Sequence, residues 1–196
     1  MLKPLPDLSL SLPLYQLIEA ESCLGGFDER KVSHMNVCVL TPPEIYEQLV
    51  EGVEYGILRA FSAMFDDVAI CGEDHQNDAG FDGVAGLISF VGKVSWTLAI
   101  GFPRATALEM AQKFAGCEIP FESMDMIDVT GELLNIVAGP TSAHLITQGF
   151  EAKMGLPSVV RGCDVEVILP DHLAQRLHFT SRQGAFRAKI VAAQQV

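Results

Sequence analysis

The chain has 196 residues, 49% hydrophobic and 19% charged, enough apolar material for one sizeable core and too little charge for wholesale disorder. Thirteen basic against 25 acidic residues give a net charge of −12, which repels phosphate backbones and argues against a nucleic-acid partner. The five cysteines are widely spaced and none forms a C-x-x-C pair, so free thiols in a reducing compartment fit better than a disulfide framework.

Residues 1–34 differ from the rest. "KPLPDLSLSLPL" carries three prolines and alternates leucine with serine, and "GGFDERKVSH" is polar. The opening stretch is too broken for a signal peptide and too short to span a membrane, so the protein reads as soluble and cytoplasmic. The segment reads as a flexible arm or as an upstream stretch from a mis-assigned start. Met35 opens a cleaner pattern, and residues 35–196 are taken as the folded domain.

In chain order, "TPPEIYEQLVEGVEYGILRAFSAMF" (41–65) predicts a helix. Thr41 suits an N-cap and the prolines a first turn. Ile45, Leu49, Val53, Ile57 and Phe61 recur every four residues and line one face. A short strand and a polar loop follow. "VAGLISFVG" and "VSWTLAIGF" predict a hairpin turning at Gly92-Lys93. "RATALEMAQKFAG" is a short helix ending at Gly116. Residues 119–150 predict a long helical stretch, and "LPSVVRGCDVEVILP", "RLHFTS" and "GAFRAKIVAA" three strands. The order implies an α+β fold, an antiparallel sheet with two long helices on one face.

Several motifs fail on spacing. "GLISFVGK" has five residues between its glycines and Val94 where a phosphate loop needs Ser or Thr. "EDHQNDAG" places Ala79 where a calcium loop needs glycine. No two of the five histidines share a metal-binding helical spacing, and no protein-held metal is expected.

What survives is on the long helix. Glu132 and Asn135 are three apart and share one side, which Gly139 and Ser142 continue. A partner can approach such a small-residue face closely. Ile127, Leu134, Val137, Ala138 and Leu145 suit burial on the opposite side. Pro140 has no N–H and its ring opposes the carbonyl of Ile136, so a kink near 136–140, or a restart after Gly139, is expected.

Asp128, Glu132, Asn135 and, after 21 intervening residues, Pro157 in "MGLPSVVRG" together resemble the signature of the CheC/CheX/FliY phosphatases of bacterial chemotaxis. "GELLNIVAG" and the element order from about Glu51 onward resemble the family too. The first helix has Glu51 and Glu54 but no asparagine at the matching offset, which leaves one site per chain, as in CheX. The resemblance implies hydrolysis of the aspartyl phosphate of a CheY-like receiver domain, with Mg2+ held by that partner, and a homodimer. Glu132 and Asn135 are then the catalytic pair. The amide would hold an in-line water and the carboxylate would dock on a partner lysine. Asp128, as a cap or dipole partner of the helix, and Pro157, at a turn, are expected to be structural. A non-catalytic module that binds a receiver or a flagellar switch component is the alternative, and a dimerisation domain without a receiver partner a third reading.

Overall fold

The computed structural model describes residues 42–66, 70–73, 80–168 and 174–192. The N-terminal extension, Thr41 and most of the "EDHQNDAG" loop lie outside them. Three helices and seven strands follow in the order α1 (Pro42–Phe65), β1 (Ile70–Glu73), β2 (Phe81–Gly92), β3 (Trp96–Pro103), α2 (Arg104–Ala115), α3 (Met124–Thr147), β4 (Ala152–Met154), β5 (Ser158–Val165), β6 (Ala174–Ser181) and β7 (Gly184–Ala192). None of these helices is long and apolar enough to cross a membrane.

The strands form one sheet, antiparallel at every pairing, in the order β1-β6-β7-β3-β2-β4, with β5 also on β2. The α+β antiparallel architecture is as the element order implies. Strand alternation sends Val84, Ile88 and Phe90 of β2, Leu98 and Ile100 of β3, and Phe186 and Ile190 of β7 into the helix-covered core. Leu49, Val53 and Ile57 of α1 are fully buried against them, each such burial stabilising by roughly 1.5–3 kcal/mol relative to exposure. Gly116 ends α2 in the left-handed conformation at φ 72°, which glycine adopts without steric cost.

The strand expected over 156–170 is shorter and has a forerunner. β4 and β5 lie end to end along the same side of β2, β4 on Phe90–Gly92 and β5 on Phe81–Leu87. Met154 faces Phe90 and Ser158 faces Leu87, so four steps on this edge match three on β2. The extra residue is a bulge at 155–157, bridged by Gly155 N–H donating to Ser89 O at 2.8 Å. Pro157, with no N–H to give, sits where the ladder is interrupted.

The helix does not restart after Gly139: α3 runs unbroken from Met124 to Thr147 with Pro140 inside it. Proline removes one backbone bond, but the residues around it are pinned by tertiary contacts. Val137, Ala138 and Thr141 are buried. Thr141 Oγ1 donates to Val137 O at 2.8 Å. On α1, Gly52 and Gly56 let the two long helices meet closely: a Cβ at Gly56 would overlap Thr141 Oγ1 and lie 2.8 Å from Val137 O. Packing on both sides of the proline outweighs its local penalty.

Candidate functional site

α3 buries one side and frees the other. Met126, Thr130, Leu133, Leu134, Val137, Ala138, Thr141 and Leu145 are buried. Ile127, expected among them, is only partly so, because it lies at the edge of the stripe. Asp128, Glu132 and Gly139 are exposed, and Asn135 and Ser142 are partly exposed. The motif residues of α3 therefore share its free face. A Cβ placed at Gly139 would meet nothing within 4 Å. Among the described residues, no side-chain hydrogen bond or ion pair involves Glu132 or Asn135.

Asp128 does not cap the helix. α3 starts at Met124 with Ser123 as its N-cap, and the acidic residue of the first turn is Asp125. Asp128 belongs to the second turn, one turn before Glu132 on the same face.

Pro157 joins this face from another element. The edge bulge brings its ring to α3, where a Cβ at Gly131 would lie 3.7 Å from Pro157 Cγ and 3.9 Å from Val159 Cγ2. Gly131 is adjacent to Glu132 and one turn before Asn135. The four separated motif positions are thus collected by one helix-to-strand contact.

A second contact between the same two elements lies at the start of α3. Arg161 of β5, its side chain 19% exposed, donates from Nη1 to Phe121 O at 2.8 Å and to Ser123 O. Its Nε lies 3.8 Å from Glu122 Oε2. Arg104, at the start of α2, stacks 4.1 Å over the Phe121 ring and donates to Glu122 Oε1 at 3.2 Å. Neither arginine stands out in the sequence. The available signal is period two: Arg161 follows Val159 by two residues on a strand and so faces the helices with it.

At the far end of α3, His144 stacks on Tyr55 with centroids 4.5 Å apart, and lies 3.5 Å from Glu51 and 3.3 Å from Gln148. It joins α3 to α1 as a packed, partnered side chain. Among the described residues no group of three or more His, Cys, Asp or Glu is arranged to hold a metal ion. A cavity of about 60 Å³, lined by Phe81, Val165, Arg187 and Lys189 among others, and a hollow of about 430 Å³, lined by Glu109, Gln112, Lys113 and Gly116, touch no motif residue.

An antiparallel sheet covered by two long helices is the CheC/CheX-like fold. Residues 84–179, just under half of the chain, match the family described as chemotaxis phosphatase CheX. Among solved structures it resembles a CheC-like superfamily protein from Shewanella sp. PV-4, at 24% identity and TM-score 0.67, covering 82% of this chain and 100% of that one. It resembles the chemotaxis protein CheX of Vibrio vulnificus at 23% identity and TM-score 0.65, covering 74% and 96%. The CheX of a CheX–CheY–BeF3–Mg2+ complex from Borrelia burgdorferi is similar at 19% identity and TM-score 0.62, covering 74% and 98%. No curated protein sequence matches.

Proposed function

We propose that this protein is a phosphatase for the aspartyl phosphate of a CheY-type receiver domain. The observation that carries the reading is the Glu132–Asn135 pair, presented with Pro157 beneath it on the free face of α3 in a chain that matches the CheX family over residues 84–179. The Borrelia relative, crystallised with CheY, BeF3 and Mg2+, supports the choice of partner.

An acyl phosphate is already reactive, and its receiver supplies the magnesium in this reading. What an added protein contributes is position. The Asn135 amide has both an acceptor and donors. Inserted beside the phosphoaspartate, it holds a water in line with the scissile bond. The water oxygen bonds to phosphorus, the bond from phosphorus to the aspartyl oxygen breaks, and inorganic phosphate and a free carboxylate result. Glu132, one turn back, pairs with a lysine of the receiver and fixes the docking register. Gly139 and Ser142 leave room for close approach. With one such pair per chain, a homodimer carries two sites, and the setting is the cytoplasm.

The test is decay of a phosphorylated cognate receiver with and without the protein. Acceleration that disappears in Asn135→Ala, with binding kept, supports the reading. Binding without acceleration would make the protein a docking module, and no binding would end both. Light scattering of the purified protein tests the dimer.

A further inference from the structure

α3 packs its buried side against α1 and β2, and its N-terminal half also meets β5 at two points. One is the contact of Gly131 with Pro157 and Val159. The other is Arg161, whose guanidinium binds the carbonyls of Phe121 and of the N-cap Ser123. The second point needs an explanation. A cation at a helix N-terminus opposes the macrodipole, and Ser123 does not cap the helix with its own side chain, since its Oγ donates to Pro120 O at 2.8 Å instead. Glu122, 3.8 Å from Arg161 Nε, offsets the charge. The planar fork of arginine suits two carbonyl acceptors at once. Gly131 lies eight positions beyond Ser123, and Glu132 and Asn135 lie just beyond.

We infer that Arg161 is a positioning residue: by fixing the start of α3 to β5 it sets the rotation of the helix about the Pro157 contact and so aims Glu132 and Asn135. This rests on the phosphatase reading for its consequence, though not for its geometry. Arg104 touches Glu122, Asp82 and the Phe121 ring but does not bind the carbonyls of Phe121 or Ser123, which makes it the internal control. A misplacement of about 1 Å at a reacting centre can cost roughly 100-fold in rate.

The experiment uses the full chain as wild type, Arg161→Met, Arg161→Lys and Arg104→Met, with a receiver phosphorylated by acetyl phosphate. Arg161→Met is expected to lose roughly 30-fold in kcat with KM within about threefold, and Arg161→Lys to recover most of that loss. Arg104→Met should stay within about threefold of wild type. Amide exchange followed by mass spectrometry should be at least about tenfold faster over 121–135 in Arg161→Met and unchanged over β6 and β7. Unaltered kcat in Arg161→Met, an equal loss in Arg104→Met, or unchanged exchange over 121–135 would overturn the assignment. If the wild type does not accelerate dephosphorylation, the phosphatase reading fails, and the exchange result alone then decides whether Arg161 holds α3.

Discussion

The ring of Pro157 lies over Gly131, with Cγ 3.7 Å from where a Cβ would be. That separation is ordinary van der Waals contact, so Gly131→Ala fits without displacement. It also removes the backbone freedom of a glycine inside a helix, worth about 0.5–1 kcal/mol. Thermal unfolding should show Gly131→Ala melting about 2–4 °C higher per kcal/mol gained. Gly131→Leu, which must lift α3 from the bulge, should melt lower. A lower melting point for the alanine variant would contradict this packing.

The contact between the long helices behaves oppositely. At Gly56 an added Cβ collides with Thr141 Oγ1 and with a backbone carbonyl, and at Gly52 it comes 2.7 Å from Leu145. Gly56→Ala is expected to destabilise by about 1–3 kcal/mol despite alanine's better helix propensity. The midpoint of urea unfolding measures it, and an unchanged midpoint would mean that the helices stand further apart.

Gly139 separates stability from docking. Its surroundings are open, so Gly139→Leu should leave the melting temperature unchanged or slightly raised. If the free face of α3 meets a receiver, the same substitution should weaken binding to a BeF3-activated receiver at least about tenfold, because bulk at a close interface forces the partners apart. Titration calorimetry reads the affinity. Unchanged affinity would remove Gly139 from the interface.

Pro140 costs α3 one backbone hydrogen bond within an unbroken helix. Pro140→Ala should therefore stabilise, by up to about 3 kcal/mol. If the protein dephosphorylates a receiver, the rate should remain within about twofold, because a helix already continuous through the proline does not re-aim Asn135. Denaturant unfolding and the decay assay together test this, and a rate change without a stability change would assign the proline to the site.

Cys71 gives a pH signature. Burial, then its bond to Glu54 at 3.1 Å and the charge of that carboxylate, push the thiol up to about 12. The folded state thus holds the thiol proton more tightly than the unfolded chain. The resulting stabilisation is complete below the unfolded value near 9 and is lost as pH rises from there through about 12. Alkylation at pH 8 with peptide mapping should modify exposed Cys117 and Cys163 well before Cys71. Equal labelling would count against the Glu54 contact.

The four-residue apolar repeat of α1, the hairpin at Gly92-Lys93 and the Gly116 cap were legible because each is written in neighbouring residues. The Glu132–Asn135 pairing on a free face was legible for the same reason, since three residues along a helix fix a shared side. The bulge at 155–157 was not, because a register slip exists only relative to β2. The continuity of α3 through Pro140 was not legible because local propensity argues for a break, while the packing that keeps the helix continuous involves Gly52 and Gly56 more than 80 positions earlier. Arg161 escaped for a similar reason: its partners are carbonyls 38 and 40 residues away, and backbone acceptors carry no residue type to recognise.

The free face of α3 also bears on how such a protein changes over time. Because the described chain leans on neither the Asn135 amide nor the Glu132 carboxylate, either is replaceable without unfolding the molecule. If the protein is a phosphatase, a copy that loses Asn135 still presents the same helix to the same partner. On that reading, the distance from an enzyme that ends a signal to a protein that merely sequesters it is a single codon, and such a variant would compete with active copies for their target.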